Sequence, residues 1–243
     1  MKLKKFISAA AIAALVCSGI SAKAVTVSAT GTGNNGEALS AQADFVINGS
    51  NLEITLANLG TYDPNDGQDI LTAVSFDISG SPALTAVSGV LTLSSTIKNG
   101  TTPGDGAIGN QLAYKSGLSG APGNAAYGIS AAGFGLFGSG DLFPNGSLPN
   151  DGGTPPDGVA YGLTTLSDST GNDNGGISGR ALIANGAKFV LSGLPEGFSL
   201  DQISNVRFQY GTSLTEINIP EPTGFVLTLA GLGLFSVIRR KRS

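Results

Sequence analysis

The stretch Ala43-Asp-Phe-Val-Ile-Asn-Gly-Ser-Asn-Leu-Glu-Ile-Thr-Leu56 alternates apolar with polar residues on both sides of Asn48-Gly49. Ala43, Phe45 and Ile47, then Leu52, Ile54 and Leu56, fall on one face of a period-two backbone, and Asn-Gly supplies positive φ to a tight turn. The segment predicts a β-hairpin with one face buried. Outward from it, alternating or β-rich runs recur at residues 71–78, 87–97, 159–166, 187–191 and 206–210. Gly, Asn, Asp, Ser and Pro separate them, and away from the chain ends no stretch has helical periodicity with charges on one face. The expectation is an all-β protein, an antiparallel β-sandwich or jelly-roll-like body with long Gly-rich loops. The pentapeptide Leu-Thr-Ala-Val-Ser occurs at residues 71–75 and again at 84–88. Two copies are too few for a solenoid, so the repeat predicts adjacent strands.

Residues 99–180 hold 21 of the 37 glycines, with Pro103, Pro122, Pro144, Pro149, Pro155 and Pro156. Tyr114, Tyr127, Phe134, Phe137, Phe143 and Tyr161 interrupt them. The segment therefore reads as a loop-rich insertion anchored by aromatics within one domain spanning residues 25–218, not as a linker between two.

Composition removes most chemistry. There is no histidine, and Cys17 lies in an apolar run near the N-terminus. Ser-His-Asp and Cys-His catalysis, histidine general bases and ordinary zinc sites are thereby excluded from the body, which reads as non-enzymatic. Of the 17 acidic residues, sixteen lie within residues 25–219, against five of the 13 basic ones, for a net charge of −11 there. A body so acidic argues against nucleic acid as a partner, since binding a polyanion needs clustered cations.

Two motifs fail on context. Ser95-Thr-Ile-Lys98 spells S-x-x-K but ends a β-type run, where positions three apart face opposite ways. Gly133-Phe-Gly-Leu-Phe-Gly138 spells G-x-G-x-x-G, but Ser139, Gly140, Asp141 and Pro144 would not continue a helix after it. Carboxylates remain as the only catalytic groups, as in a glycosidase. Tryptophan is absent, leaving Tyr62, Tyr114, Tyr127 and Tyr161 as platforms for a sugar ring. Asp63, Asn65, Asp66 and Asp69 gather oxygen ligands around a turn, and Asp168, Asn172, Asp173 and Asn174 form a second such group. Calcium is thus a candidate cofactor, although both groups miss the EF-hand spacing and tight turns use the same residue types. If the first group is a site, Asp66→Ala should abolish a calcium response and leave the calcium-free melting point nearly unchanged. Asn48, Asn99 and Asn145 begin formal glycosylation triplets but read as Asn-Gly turns.

The chain ends speak of traffic. Lys2, Lys4 and Lys5 precede an apolar run over residues 6–20, and Ala22-Lys23-Ala24 is a small-x-small site before Val25. This is the layout of a secretory signal peptide over residues 1–24, cut by signal peptidase after Ala24. At the other end Pro220, Glu221, Pro222 and Thr223 precede an uncharged stretch over residues 224–238 and then Arg239, Arg240, Lys241 and Arg242. Both prolines lack an N–H and hold φ near −65°, so residues 219–222 should be extended and outside any helix or central strand. Fifteen helical residues cover about 22 Å of a ~30 Å hydrocarbon core, and the four cations should stay cytoplasmic. The apolar stretch is read as a transmembrane helix anchoring the precursor in the inner membrane.

Over residues 218–243 this tail resembles the PEP-CTERM sorting domain: a PEP motif, a hydrophobic helix and an Arg-rich end, in that order. The resemblance implies recognition by an exosortase, a membrane-embedded protease acting near the PEP motif, in Gram-negative bacteria that make exopolysaccharide. It also implies delivery to the cell surface or extracellular matrix. Residues 206–212 are similar to the terminal strand of such surface proteins. The expectation is an exported, non-catalytic surface or matrix protein associated with exopolysaccharide or biofilm. A carbohydrate-binding module and a carboxylate-dependent glycosidase are the alternatives; a shallow aromatic strip would favour the first and two carboxylates in a cleft the second.

Overall fold

The structure, a computed structural model, describes residues 24–171, 174 and 176–222. Among these residues there are strands and short 3₁₀ turns but no α-helix. From the N-terminus come β1 (Ala24–Thr32), β2 (Ala38–Asn48), β3 (Asn51–Asn58), β4 (Leu71–Ile78), β5 (Thr85–Leu91) and β6 (Thr96–Lys98). The Gly-rich segment then contributes only the short β7 (Ala113–Ser116), β8 (Tyr127–Ser130) and β9 (Leu163–Thr164). The chain closes with β10 (Leu182–Ala184), β11 (Gly186–Ser192), β12 (Ile203–Tyr210) and β13 (Asn218–Pro220).

These strands form two sheets. One runs β1-β2-β3-β11-β5 and the other β13-β12-β4-β9-β10-β6, with the β7–β8 hairpin attached to β4. The founding hairpin is β2–β3, in which Phe45 faces Ile54 and Asn48 faces Asn51. Its loop is Gly49-Ser50, one residue later than the Asn48-Gly49 turn expected. Gly49 adopts φ 62°, the positive value at the first loop position that a II′ turn requires.

Alternation in the first sheet places Val25 and Val27, Ala43 and Phe45, Leu52 and Ile54, and Phe189 and Leu191 in one buried layer. Val74, Phe76, Val206, Phe208 and Tyr210 of the second sheet complete the same core. Phe45 meets Phe76 edge-on across the sheets at 5.4 Å, and Phe76 stacks on Tyr127 at 5.7 Å. Such aromatic pairs add about 0.5–1.5 kcal/mol beyond their burial. The architecture is all-β and sandwich-like.

The Gly-rich segment forms a third layer. β4 is buried on both faces: while Phe76 looks into the core, Ala73 and Ser75 border an apolar groove with Leu118, Ala121, Phe134 and Phe137. Tyr114, Tyr127, Phe143 and Tyr161 are all buried. Asn145 fastens this layer to the other sheet, since its amide donates to the Gly89 carbonyl at 2.9 Å and its oxygen accepts the Gly89 N–H at 2.8 Å. One side chain thus imitates a pairing strand at the edge of β5.

Several expectations are corrected. The repeated pentapeptide does not make adjacent strands: the first copy lies in β4 and the second leads into β5, in opposite sheets. Gly80 (φ 82°) and Pro82 turn the chain across the sandwich between them. Residues 87–97 are two strands rather than one run, broken where the Ser95 N–H donates to the Thr92 carbonyl, with Leu93 fully exposed. Within residues 159–166 only β9 is a strand, and it pairs with β10 in parallel, so the sheets are not wholly antiparallel.

Candidate functional site

The PEP segment is part of the fold. In β13, Ile219 pairs with Phe208 and Pro220 with Arg207, so the expected domain boundary at residues 218–219 falls inside a strand. Pro220 is tolerated because β13 is an edge strand, where a missing N–H disturbs no ladder. Beyond it the Glu221 N–H donates to the Val206 carbonyl at 2.8 Å. The Asn205 N–H donates to Glu221 Oε1, also at 2.8 Å. The Val206 carbonyl and the Asn205 N–H both lie where the β12–β4 register shifts between Ser204 and Arg207, and Asn205 sits there at φ 54°. Asparagine tolerates this left-handed conformation better than other chiral residues except aspartate. Its side-chain amide donates to Asp77 Oδ2 at 2.9 Å and to the Gly123 carbonyl at 3.0 Å. Its own oxygen accepts from Arg207 Nε at 2.9 Å. The bulge turns backbone groups of β12 toward Glu221, and a polar network holds the bulge in shape. Glu221 Oε2 is buried with no partner among the described residues. Pro222 is exposed. Thr223, the apolar stretch and Arg239 to Arg242 lie outside the described residues. At the other end, Ala22 also lies outside them, whereas Ala24 and the buried Val25 open β1.

The four oxygen-rich residues near Asp66 divide their work among turn donors. Asp66 caps the 3₁₀ turn Gly67–Asp69 by accepting the Gln68 N–H at 2.7 Å. Asp69 Oδ2 accepts the N–H groups of Asn65 (3.1 Å) and Asp66 (3.3 Å). Asp63 reaches across to the Ser169 N–H and hydroxyl at 2.8 and 2.7 Å. Asn65 contributes its carbonyl to the Asn174 N–H. Asp69 is buried, and that burial chiefly raises its carboxyl above the usual range, opposed by the N–H groups of Asn65 and Asp66. Its Oδ1 and Gln68 Oε1 are buried acceptors without partners among the described residues. Among the described residues no three Asp or Glu side chains converge as a metal-binding group. Because the Asp66 side chain caps a turn, Asp66→Ala removes a hydrogen bond of the fold as well as a candidate calcium ligand. In the second group Asp168 is occupied by Thr164 Oγ1 at 2.7 Å and the Thr170 N–H at 2.8 Å. Asn172 and Asp173 lie outside the described residues.

A third locus was not anticipated. A cleft of about 250 Å³ is lined by Asp151, Asp157, Val159, Arg180 and Thr212. Arg180 pairs with Asp151 at 3.6 Å, and Asp151 Oδ2 also accepts the Ala181 N–H at 2.5 Å. Burial raises the Asp157 carboxyl, with Arg180 opposing, and its Oδ2 has no partner among the described residues. Two carboxylates and a cation thus share one concavity, brought together from positions some thirty residues apart that carry no sequence spacing to signal it.

The remaining candidates come apart. Tyr114, Tyr127 and Tyr161 are core residues, and the half-buried Tyr62 spends its hydroxyl on the Asp69 carbonyl at 2.7 Å. They therefore form no exposed platform for a sugar. Ser95 Oγ donates to the Gly186 carbonyl, while Lys98 Nζ donates to the Asp168 carbonyl. Gly133 to Phe137 closes on itself as a turn, and only the single 3₁₀ turn Ser139–Asp141 follows, not an α-helix. Among the described residues no helix is long and apolar enough to cross a membrane. No family model, curated protein or solved structure matches the chain.

Proposed function

We propose that this chain is an exported, non-catalytic surface or matrix protein whose C-terminal tail is read by an exosortase. The supporting observation is that the described chain is hydrogen-bonded to the body as far as Glu221 and that Pro220 and Pro222 are exposed, so the PEP motif lies at the surface of the body, next in sequence to the apolar stretch. At the other end cleavage after Ala24 would leave β1 all but complete, with Val25 as its first residue. Pro220, Glu221, Pro222 and Thr223 are the recognised segment, and Arg239 to Arg242 hold the tail's end in the cytoplasm. The body serves the surface or matrix as an acidic, disulfide-free module.

Mass spectrometry of surface and medium protein should find chains that begin near Val25 and lack residues 224–243. Replacing all four terminal cations with Ser or Gln should leave an unprocessed precursor. Recovery of only full-length C-termini outside the cell would sink the proposal.

A second reading for the body is glycan recognition at the Asp151–Asp157–Arg180 cleft, where two carboxylates without an exposed aromatic strip favour the glycosidase alternative over the binding module and where binding of the sugar is the first requirement of either. Calorimetric titration with oligosaccharides from the host exopolysaccharide should then show binding that Asp157→Asn and Arg180→Ala each remove. Equal heats from all three proteins would end this reading.

A further inference from the structure

Glu221 is held by a receptor built for it. Two hydrogen bonds join it to the Asn205–Val206 bulge, one from its own N–H to the Val206 carbonyl and one from the Asn205 N–H to its carboxylate, and a side-chain network that also reaches Asp77 and Gly123 holds the bulge. Arg207 Nη1 reaches Asn218 Oδ1 at 3.3 Å, tying down the start of the same strand. Ile219 is buried, and its Cδ1 would lie only 2.7 Å from a Cβ built on Gly31. The glycine in β1 is therefore the space that admits Ile219.

We propose that the Asn205–Val206 bulge is an intramolecular binding site for residues 219–221, and that its occupancy withholds the Pro220-Glu221-Pro222 motif from protease. This rests on the tail being a sorting tag. A protease that binds extended backbone needs the groups the body already holds: the Glu221 N–H is on Val206 and the carboxylate is on Asn205. Docking onto β12 leaves Pro220 and Pro222 exposed but ties up the Glu221 N–H and carboxylate, and release of β13 frees them. The contact is one the chain can leave. β13 has three residues, two prolines flank Glu221, and the buried Oε2 costs free energy for want of a donor. The state of the body thereby sets how fast the tail is cut.

The test leaves the motif untouched. Gly31→Val fills the place of Ile219 and should expel β13, while Gln209→Cys with Asn218→Cys, a facing pair across β12 and β13, should lock it when oxidised. Single-residue hydrogen exchange on the full chain in detergent is compared with a synthetic peptide of residues 217–225, and the processed fraction is measured in cells. The Glu221 amide should exchange at least about tenfold more slowly in the wild type than in the peptide. It should approach the peptide rate in Gly31→Val. Processing should rise in Gly31→Val and fall in the oxidised pair, returning on reduction. Peptide-like exchange of Glu221 in the wild type would overturn the binding site. Slow exchange with equal processing in every protein would overturn the withholding. Slow exchange with no processing of any chain would sink the sorting-tag reading and the withholding with it, while leaving the binding site intact.

Discussion

Asp66 and Asp69 show how the same residue types serve a turn or an ion. Asp66 accepts the Gln68 N–H, the bond that an N-cap residue makes, and such caps contribute about 0.5–2 kcal/mol. Asp66→Ala should therefore lower stability by about 1 kcal/mol in calcium-free buffer, read from urea melts, and an unchanged midpoint would deny the cap. Asp69 differs because burial raises its carboxyl. A folded-state value above the unfolded ~3.9 means that its contribution is present below about pH 3.9 and lost as pH rises through the raised value. Asp69→Asn keeps an oxygen for the Asn65 and Asp66 N–H groups but cannot ionise. Between pH 4 and 7 the variant should therefore gain on the wild type in calcium-free buffer. A calcium ion at the loop would reverse that order, because ligand binding to the folded state alone raises its stability. Parallel pH profiles with and without calcium would remove both effects.

At the scale of the element, what could be read in advance depended on where the partner of each strand lies. β2 and β3 were legible because one alternating pattern and one turn contain the whole hairpin. β11 and β12 were legible as apolar runs, although nothing local shows that β11 lies between β3 and β5. β1 escaped notice because Val25, Val27 and Ala29 alternate with Thr26, Ser28 and Thr30 directly beside the signal-like end, and small residues give a faint pattern. β7, β8, β9 and β10 have two to four residues, too few for periodicity to speak. The pentapeptide misled because equal sequence does not mean equal neighbours: its first copy has the loop layer on its outer face, and its second lies at a sheet edge. The PEP motif was legible as a motif, but its seat was not. A bulge on β12 with a positive φ at Asn205 leaves no trace in composition or spacing beyond the asparagine itself.

For the whole molecule, charge separates the body from the two ends of the chain, since the acidic residues lie almost entirely between segments that carry eight of the 13 cations. The body has no disulfide to close it, and stability rests on a main core shared by two sheets and a loop layer, beside a small second cluster of Ile70, Val159, Ile177 and Leu182. That core is assembled from distant parts of the chain. β4 pairs on one side with β12, from the far end of the body, and on the other with β8 and β9 from the Gly-rich segment. Contacts so remote along the chain must bear the entropy of closing long loops before they stabilise anything, and they slow folding. A chain that emerges N-terminus first can form β1, β2 and β3 early, since these pair with neighbours in order. β4 then waits beside them, its flank open, until more than a hundred further residues have emerged. The body has an order of arrival written into its topology, and the strand that completes it is the one adjoining the tail.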